Sequence, residues 1–206
     1  SKEELLDFLN IWLKGYIKEE LKDLINLIKT ENKNKYLRAL AFQLYESNGV
    51  LKRSNIEDVV KAISKEDRKQ FRNLGIKIGR YHIFLPRMLK PKAVSLRILL
   101  WNFYNSFTEG REIPKSGLNF LTDNQNKFDK KFLLLCGFEN FGNYYIRVDI
   151  LEKLFLKIID NTKNGKFKIT SEMMNLLGCS KENFYKVMRL MNYKREKKDE
   201  DIFSYK

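Results

Sequence analysis

The scarcity of glycine and proline restricts the fold of this chain most. Only 10 Gly and 3 Pro occur among its 206 residues. An all-β sandwich or barrel needs frequent turns, and turns depend on these two residue types. Long stretches of the sequence instead repeat apolar side chains at three- and four-residue steps, which is the spacing of an amphipathic helix. The sequence therefore predicts a mainly α fold with small β wings.

Three segments carry the strongest helical pattern. Residues 2–29 predict one helix, with Leu5, Leu9 and Trp12 on one face and a capping box between Ser1 and Glu4. A second helix is predicted from Lys35 to Ser47. The segment from Lys92 to Phe107 is apolar nearly all round, which predicts a helix at the centre of the fold.

The same order of elements is predicted twice, because Asn48-Gly49 and Asn164-Gly165 are separated by 116 positions. The same shift, with no gap, places Ser64-Lys65-Glu66 on Ser180-Lys181-Glu182 and Leu74 on Leu190. Each copy reads as helix, turn, helix, capped helix and extended segment, the order of a winged helix-turn-helix. We therefore expect two winged-helix-like units packed around central helices.

The division of the chain follows from this repeat. Residues 1–110 are predicted as a helical, winged-helix-like unit with the central helix. Residues 128–206 are predicted as a winged helix-turn-helix unit that ends in a charged hairpin from Tyr193 to Tyr205. Residues 111–127 carry Gly, Pro and Asn and are predicted as a linker loop.

The charge of the chain points to its partners. Lys and Arg number 40 against 26 Asp and Glu, a net charge of +14, which favours a polyanion: nucleic acid first and an anionic membrane surface second. The alternative is that the lysines only keep the chain in solution. Because Lys65, Arg68, Lys69 and Arg72 fall at helical steps on one face, we favour nucleic acid.

Further cations follow this helix in the first copy of the repeat, and others lie on the capped helix and the hairpin of the second copy. Aromatic residues among cations suit single-stranded nucleic acid, where bases stack and phosphates pair. The candidate nucleic-acid-binding residues are Lys65, Arg68, Lys69, Arg72, Lys77, Arg80, Tyr81, Arg87, Lys90, Lys186, Arg189, Lys194 and Arg195.

Several functional classes find no support in the sequence. The two cysteines, Cys136 and Cys179, form no metal or disulfide pattern and suggest a reducing, cytoplasmic location. His82 is the only histidine, and Asp149 with Glu152 is better explained as a capping box than as a catalytic pair. A phosphate-binding GxxxxGK[ST] loop does not occur, and no stretch is long and apolar enough to cross a membrane. We expect no cofactor, no metal, no membrane partner and no enzymatic activity of the chain on its own.

Part of the chain resembles a known family. The segment Leu74–Pro86, with its Gly75, Gly79 and Phe84-Leu85-Pro86, and the segment Leu89–Trp101 carry the resemblance, together with Cys136–Phe138, Ile146–Glu152 and Leu177–Ser180. These segments resemble the C-terminal region of bacterial helicases of the mitochondrial-degradosome type, which are superfamily 2 DExH-class ATP-dependent helicases. The similarity spans roughly residues 50 to 193. It implies an accessory region that follows two motor domains, and the motor motifs themselves are not in this chain.

The sequence thus predicts a nucleic-acid-binding accessory domain of a helicase, with RNA and DNA both open and possible contact with motor domains in cis. Two alternatives stay open. One is a protein-interaction scaffold of winged-helix units without nucleic acid contact. The other is a stand-alone DNA-binding regulator, for which we would expect a dimer, although no dimerisation heptad is evident.

Overall fold

The structure is a computed structural model that describes residues 1–29, 34–106, 111–125, 127–197 and 200–205. The chain divides into two compact units, Ser1–Ile113 and Pro114–Lys206. The described residues form a mainly α fold with three small antiparallel sheets of three strands each, which confirms the predicted fold class. Residues 107–110, Asn126, Lys198 and Asp199, which belong to the predicted central helix, linker and hairpin, lie outside the described residues.

The first unit contains six helices and one sheet among its described residues. Its helices are α1 (Lys2–Glu20), α2 (Lys22–Lys29), α3 (Lys35–Glu46), α4 (Glu57–Ala62), α5 (Lys65–Asn73) and α6 (Pro91–Tyr104). Its strands are β1 (Val50–Lys52), β2 (Lys77–Ile78) and β3 (His82–Phe84), in the order β1-β3-β2. Single 3-10 turns over Arg53–Ile56 and Pro86–Leu89 follow β1 and precede α6.

The core of the first unit collects one apolar side chain or more from nearly every element. Leu40 and Leu44 of α3, Val60 of α4, Phe71 of α5 and Ile83 of β3 are all fully buried. Because Leu40 and Leu44 are four residues apart, they lie on the same side of α3, as the helical pattern predicts.

Two sequence predictions for this unit are wrong. The predicted single helix over residues 2–29 is interrupted at Leu21, which is buried and ends α1, while Gly15 continues the helix without a break. The helix α6 is central only in its first two turns, since Phe103 and Tyr104 are 87% and 88% exposed. An apolar sequence all round a helix does not reveal that the helix extends beyond the core it helps to form.

The second unit contains four helices and two sheets in its described part. Its helices are α7 (Lys130–Leu135), α8 (Val148–Asn161), α9 (Ser171–Leu177) and α10 (Lys181–Leu190). The strands β4 (Phe120–Thr122), β5 (Phe138–Phe141) and β6 (Tyr144–Arg147) form one sheet in the order β4-β6-β5. The strands β7 (Lys166–Lys168), β8 (Tyr193–Arg195) and β9 (Ile202–Tyr205) form the other in the order β7-β9-β8. The strand β4 occupies part of the segment that the sequence predicts as a loop.

The predicted capping box at the start of α8 is wrong. The residue before this helix is Arg147, and no side chain caps the helix. Asp149 instead accepts two hydrogen bonds from the Arg147 guanidinium, at 2.7 and 3.1 Å, and Glu152 is buried. Because β6 runs directly into α8, the chain has no turn in which a capping box could form.

Several elements of the structure follow the internal repeat of the sequence. A shift of 116 positions places β1 on β7 residue for residue and α5 on the first nine residues of α10. Asn48 and Asn164 both have left-handed backbones, with φ of 53° and 50°, and Ser64 and Ser180 both cap the helix that follows. Both three-stranded sheets place the last strand in the middle. The second copy has a longer hairpin, since β9 begins four residues later than the shift predicts.

Candidate nucleic-acid interface

The position of α5 is set by its capping box. The backbone N–H of Asp67 donates to Ser64 Oγ at 3.1 Å, and the N–H of Ser64 donates to Asp67 Oδ2 at 3.0 Å. The same carboxylate accepts a hydrogen bond from the side-chain amide of Asn34, the residue that caps α3. Only Asp67 and Phe71 of α5 are buried, and they are four residues apart on the side that faces the core. The rest of the helix surface is therefore open to solvent.

The four predicted cations of α5 lie on that open surface. Lys65, Arg68, Lys69 and Arg72 are all exposed, and none of them makes an ion pair with a residue that the structure describes. Residues three and four apart on a helix are neighbours, so the four charges form one continuous row. The Arg68 guanidinium also donates a hydrogen bond of 3.3 Å to the Val60 carbonyl, which ties it to the end of α4. We call these four residues the basic stripe.

The turn between β2 and β3 carries further cations of the first unit. Lys77 on β2 and Arg80 in the turn are exposed, and Tyr81 is half-buried. Arg53, which the sequence analysis did not select, donates to the Gly79 carbonyl at 2.9 Å and so adds a third cation to this turn. No spacing in the sequence indicates its place, because Arg53 reaches the turn only through the folding of β1 beside β3.

Arg87 and Lys90 differ in whether acidic side chains lie beside them. Arg87 pairs with Asp23 at 3.5 Å and with Glu19 at 3.9 Å, so its charge is largely compensated by α1 and α2. Lys90, at the start of α6, is exposed and makes no ion pair within the described part of the chain.

In the second unit, α10 presents a different charge pattern. Arg189 is exposed without an ion pair to any described residue, but Lys186 Nζ lies 2.6 Å from Glu182 Oε1. The hydrogen bond with Glu182 raises the pKa of Lys186, and the same bond lowers the pKa of Glu182. The cation of Lys186 is therefore partly neutralised on its own helix.

The hairpin beside α10 is compensated in the same way. Asp201 lies 2.7 Å from Lys181 and 3.3 Å from Arg195, and it also accepts a hydrogen bond from the Tyr185 hydroxyl. The hydrogen bonds from Lys181 and Tyr185 hold the pKa of Asp201 below its ordinary value. The Arg195 guanidinium lies 4.6 Å from the centre of the Tyr185 ring, a cation–π contact that fixes it against the unit. Lys194, which precedes Arg195 on β8, is exposed.

The structure thus places four of the predicted residues in one row on α5 and gives several of the others acidic partners. The cations of the basic stripe make no ion pair within the described part of the chain, whereas acids pair with Lys186 and Arg195 in the second unit. The difference follows from the acids, since Asp67 of α5 faces the core and Asp201 of the second unit faces the cations.

The remaining candidates for chemistry are structural. His82 is 1% exposed and lies in β3 opposite Lys52. Cys136 is buried, and burial raises the pKa of the half-buried Cys179 thiol to about 11, so that this thiol is protonated at neutral pH. Within residues 1–29, 34–106, 111–125, 127–197 and 200–205, no group of His, Cys, Asp and Glu is arranged to hold a metal ion. None of the helices in these ranges is both long enough and apolar enough to cross a membrane.

Comparison with known proteins adds no family to these observations. No family model, no curated protein and no solved structure matches the chain.

Proposed function

We propose that the chain is a nucleic-acid-binding accessory module that holds the sugar-phosphate backbone on the basic stripe of α5. The single observation that carries this proposal is that four exposed cations share one face of α5 and make no ion pair with any acid that the structure describes. Lys and Arg in such a row bind phosphates by charge neutralisation, with little discrimination among bases.

The order of elements supports the choice of α5. In winged helix-turn-helix proteins the last helix of the helical pair enters the nucleic acid groove, and the following hairpin contacts the backbone. In our proposal each repeat is a winged-helix-like unit, α5 is the contacting helix of the first repeat, and the turn with Arg53 and Arg80 is its wing. The matching helix of the second repeat, α10, contributes more weakly because Glu182 pairs with Lys186.

The resemblance to the C-terminal region of DExH helicases supports a role beside an ATP-driven motor in the cytoplasm. In this proposal the chain guides RNA or DNA, and the motor, in cis, supplies the ATP hydrolysis. The chain itself has no catalytic residue, cofactor or metal in this role.

A charge-reversal experiment tests the proposal. We expect the variant with Lys65→Glu, Lys69→Glu and Arg72→Glu to lose at least tenfold in affinity for a labelled single-stranded oligonucleotide, measured by fluorescence anisotropy. The matched control reverses three exposed cations of the second unit that make no described ion pair, Lys130, Lys131 and Lys153. The net charge changes equally in both variants, so equal losses would contradict a specific role of the stripe.

The dependence of binding on salt measures how many phosphates are involved. If the four cations of the stripe each meet one phosphate, log Kobs against log salt has a slope of about −3 on single strands. In the variant with Lys65→Glu, Lys69→Glu and Arg72→Glu we expect the slope to become shallower by roughly 2, because three of these contacts are removed. An unchanged slope would place the phosphate contacts elsewhere.

A protein-interaction scaffold is the second candidate, and the apolar surface of α1 favours it. Seven large apolar side chains of this helix are 44% to 72% exposed, and none of its residues is buried. Folded protein that binds neither single strands nor duplexes at low salt would support the scaffold. Strong discrimination among duplexes of different sequence would instead support a DNA-binding regulator.

A further inference from the structure

We propose that the first unit pairs with a second copy of the chain through antiparallel packing of two α1 helices. This inference does not rest on nucleic acid binding, since it concerns another surface of the unit. It begins from the unusual exposure of α1, whose apolar side chains are open to solvent. The exposed residues are Leu5, Leu6, Phe8, Leu9, Ile11, Trp12 and Leu13.

Helix α6 continues this apolar surface. The helices α1 and α6 pack against each other, and the second half of α6 exposes Leu99, Leu100, Phe103 and Tyr104. A groove of about 560 Å³ separates α6 from the end of α1 and from α2 and α3, and Ile17, Leu21 and Trp101 are among its lining residues.

The size of the surface indicates that a protein covers it. A half-exposed large apolar side chain presents roughly 100 Å² to solvent, so the ten residues of α1 and α6 other than Ile11 present on the order of 1,000 Å². The largest apolar patch of a typical monomer is about 300–600 Å². A stable protein interface buries about 800 Å² on each partner, which the surface of α1 and α6 provides.

The charges of α1 argue against a bilayer as the occupant. Helices that lie on anionic membranes carry Lys and Arg on their polar face. In α1, three lysines are outnumbered by five acidic residues, although the whole chain has a net charge of +14. The acidic character of this one helix instead lowers the repulsion between two copies of a basic chain.

The sequence of α1 is complementary to itself when a second α1 runs antiparallel and the two helices cross at the level of Ile11. Lys2 then faces Glu20 of the second copy, and both lie on the side of α1 that carries Leu9 and Leu13. Lys2 and Glu20 have the same angular position on the helix, since eighteen residues make five full turns. A two-fold interface requires this property, because the same patch must match itself.

The apolar residues follow the same symmetry. Leu9 faces Leu13 of the second copy, on the face of α1 that also carries Leu6 three residues before Leu9. Leu5 faces Ile17, which lines the groove, so the first turns of one α1 lie at the groove of the other copy. In this arrangement the exposed α1 of each copy therefore packs at the groove beside α6 of the other copy.

Sedimentation equilibrium of the full chain tests this proposal. We expect a dimer at protein concentrations on the order of 10–100 µM, and a monomer for Leu9→Glu. The matched control is Ile11→Glu, because Ile11 is more exposed than Leu9 and lies two residues away, on the opposite side of the helix. We expect Ile11→Glu to remain dimeric. A monomeric wild-type chain, or equal effects of the two substitutions, would overturn the proposal.

A charge exchange tests the antiparallel register. Lys2→Glu and Glu20→Lys each place like charges opposite one another in both symmetric pairs, and we expect each to weaken dimerisation about tenfold. The double variant restores opposite charges, and we expect it to recover the wild-type association. Each substitution moves charge in the direction that the helix dipole favours, so neither unwinds α1. A double variant as weak as the two single variants would overturn the register.

Discussion

Glu182 Oε1 lies 2.6 Å from the ammonium group of Lys186, one turn further along α10. The matching acid of the first repeat is Glu66 on α5, and the residue one turn beyond it is Gln70 instead of a lysine. Glu66 therefore forms no comparable pair within the described part of the chain, and the cations of α5 keep their charge. The equivalent helices α5 and α10 thus present different charge patterns on the same backbone arrangement.

Removal of the acid on α10 should strengthen nucleic acid binding. Because an exposed ion pair contributes at most about 1 kcal/mol, we expect Glu182→Gln to tighten binding of a labelled oligonucleotide about two- to threefold. The matched control is Asp160→Asn, which removes the same charge from α8 without freeing a paired cation. Fluorescence anisotropy at fixed salt measures both variants. Equal tightening would mean that only the net charge matters.

The two glycines that follow the repeated asparagines should differ in their tolerance of a side chain. Gly49 and Gly165 both have left-handed backbones, with φ of 86° and 75°. A Cβ at Gly49 would lie 2.8 Å from Met88 Cγ, whereas a Cβ at Gly165 has no atom within 4 Å. We expect Gly165→Ala to cost about 1 kcal/mol of backbone strain and Gly49→Ala to cost roughly 1–2 kcal/mol more. Thermal unfolding followed by circular dichroism measures the difference, and equal losses would show that Met88 moves aside.

Arg97 should be essential for the stability of the first unit although it is a buried cation. Its guanidinium donates to the Asn48 carbonyl at 2.6 Å and to the Met88 carbonyl at 2.5 Å, and the residue is 1% exposed. Arg97→Met leaves both carbonyls without these donors, at a cost of roughly 1–3 kcal/mol each. We expect the melting temperature to fall by on the order of 10 °C. The control Arg72→Met, at an exposed position of α5, should change it little.

The hairpin of the second unit should lose stability in acid. Hydrogen bonds from Lys181 and Tyr185 lower the pKa of Asp201, so the carboxylate stabilises the folded state above the pKa of an unfolded aspartate, about 3.9. This stabilisation is lost as the pH falls through the lower pKa of the folded state. We expect the urea midpoint of the wild type to decrease more steeply below about pH 5 than that of Asp201→Asn. The control variant is Asp160→Asn, which removes the same charge from α8 and no ion pair that the structure describes.

Much of the fold could be predicted from local sequence patterns. The capping residues Ser1, Ser64, Thr170 and Ser180 act within three residues of their partners, so the starts of their helices could be predicted correctly. The strands β1 and β7 could not, because a strand of three residues is stabilised by pairing with a distant segment and has too few residues for a periodic pattern. The capping box predicted at Asp149 failed for a related reason, since β6 delivers the chain directly into α8.

The sequence by itself determined the helical class and the row of cations on α5, because both depend on neighbours within one or two turns. It also determined the repeat, which a shift of the sequence by 116 positions makes visible. Only the tertiary structure decided which charges are compensated. Asp67 faces the core beside Asn34, while Asp201 reaches Lys181 and Arg195 across the hairpin. It also decided that α1 lies outside the core, because the direction of an apolar helix face depends on the elements that the rest of the chain packs against it.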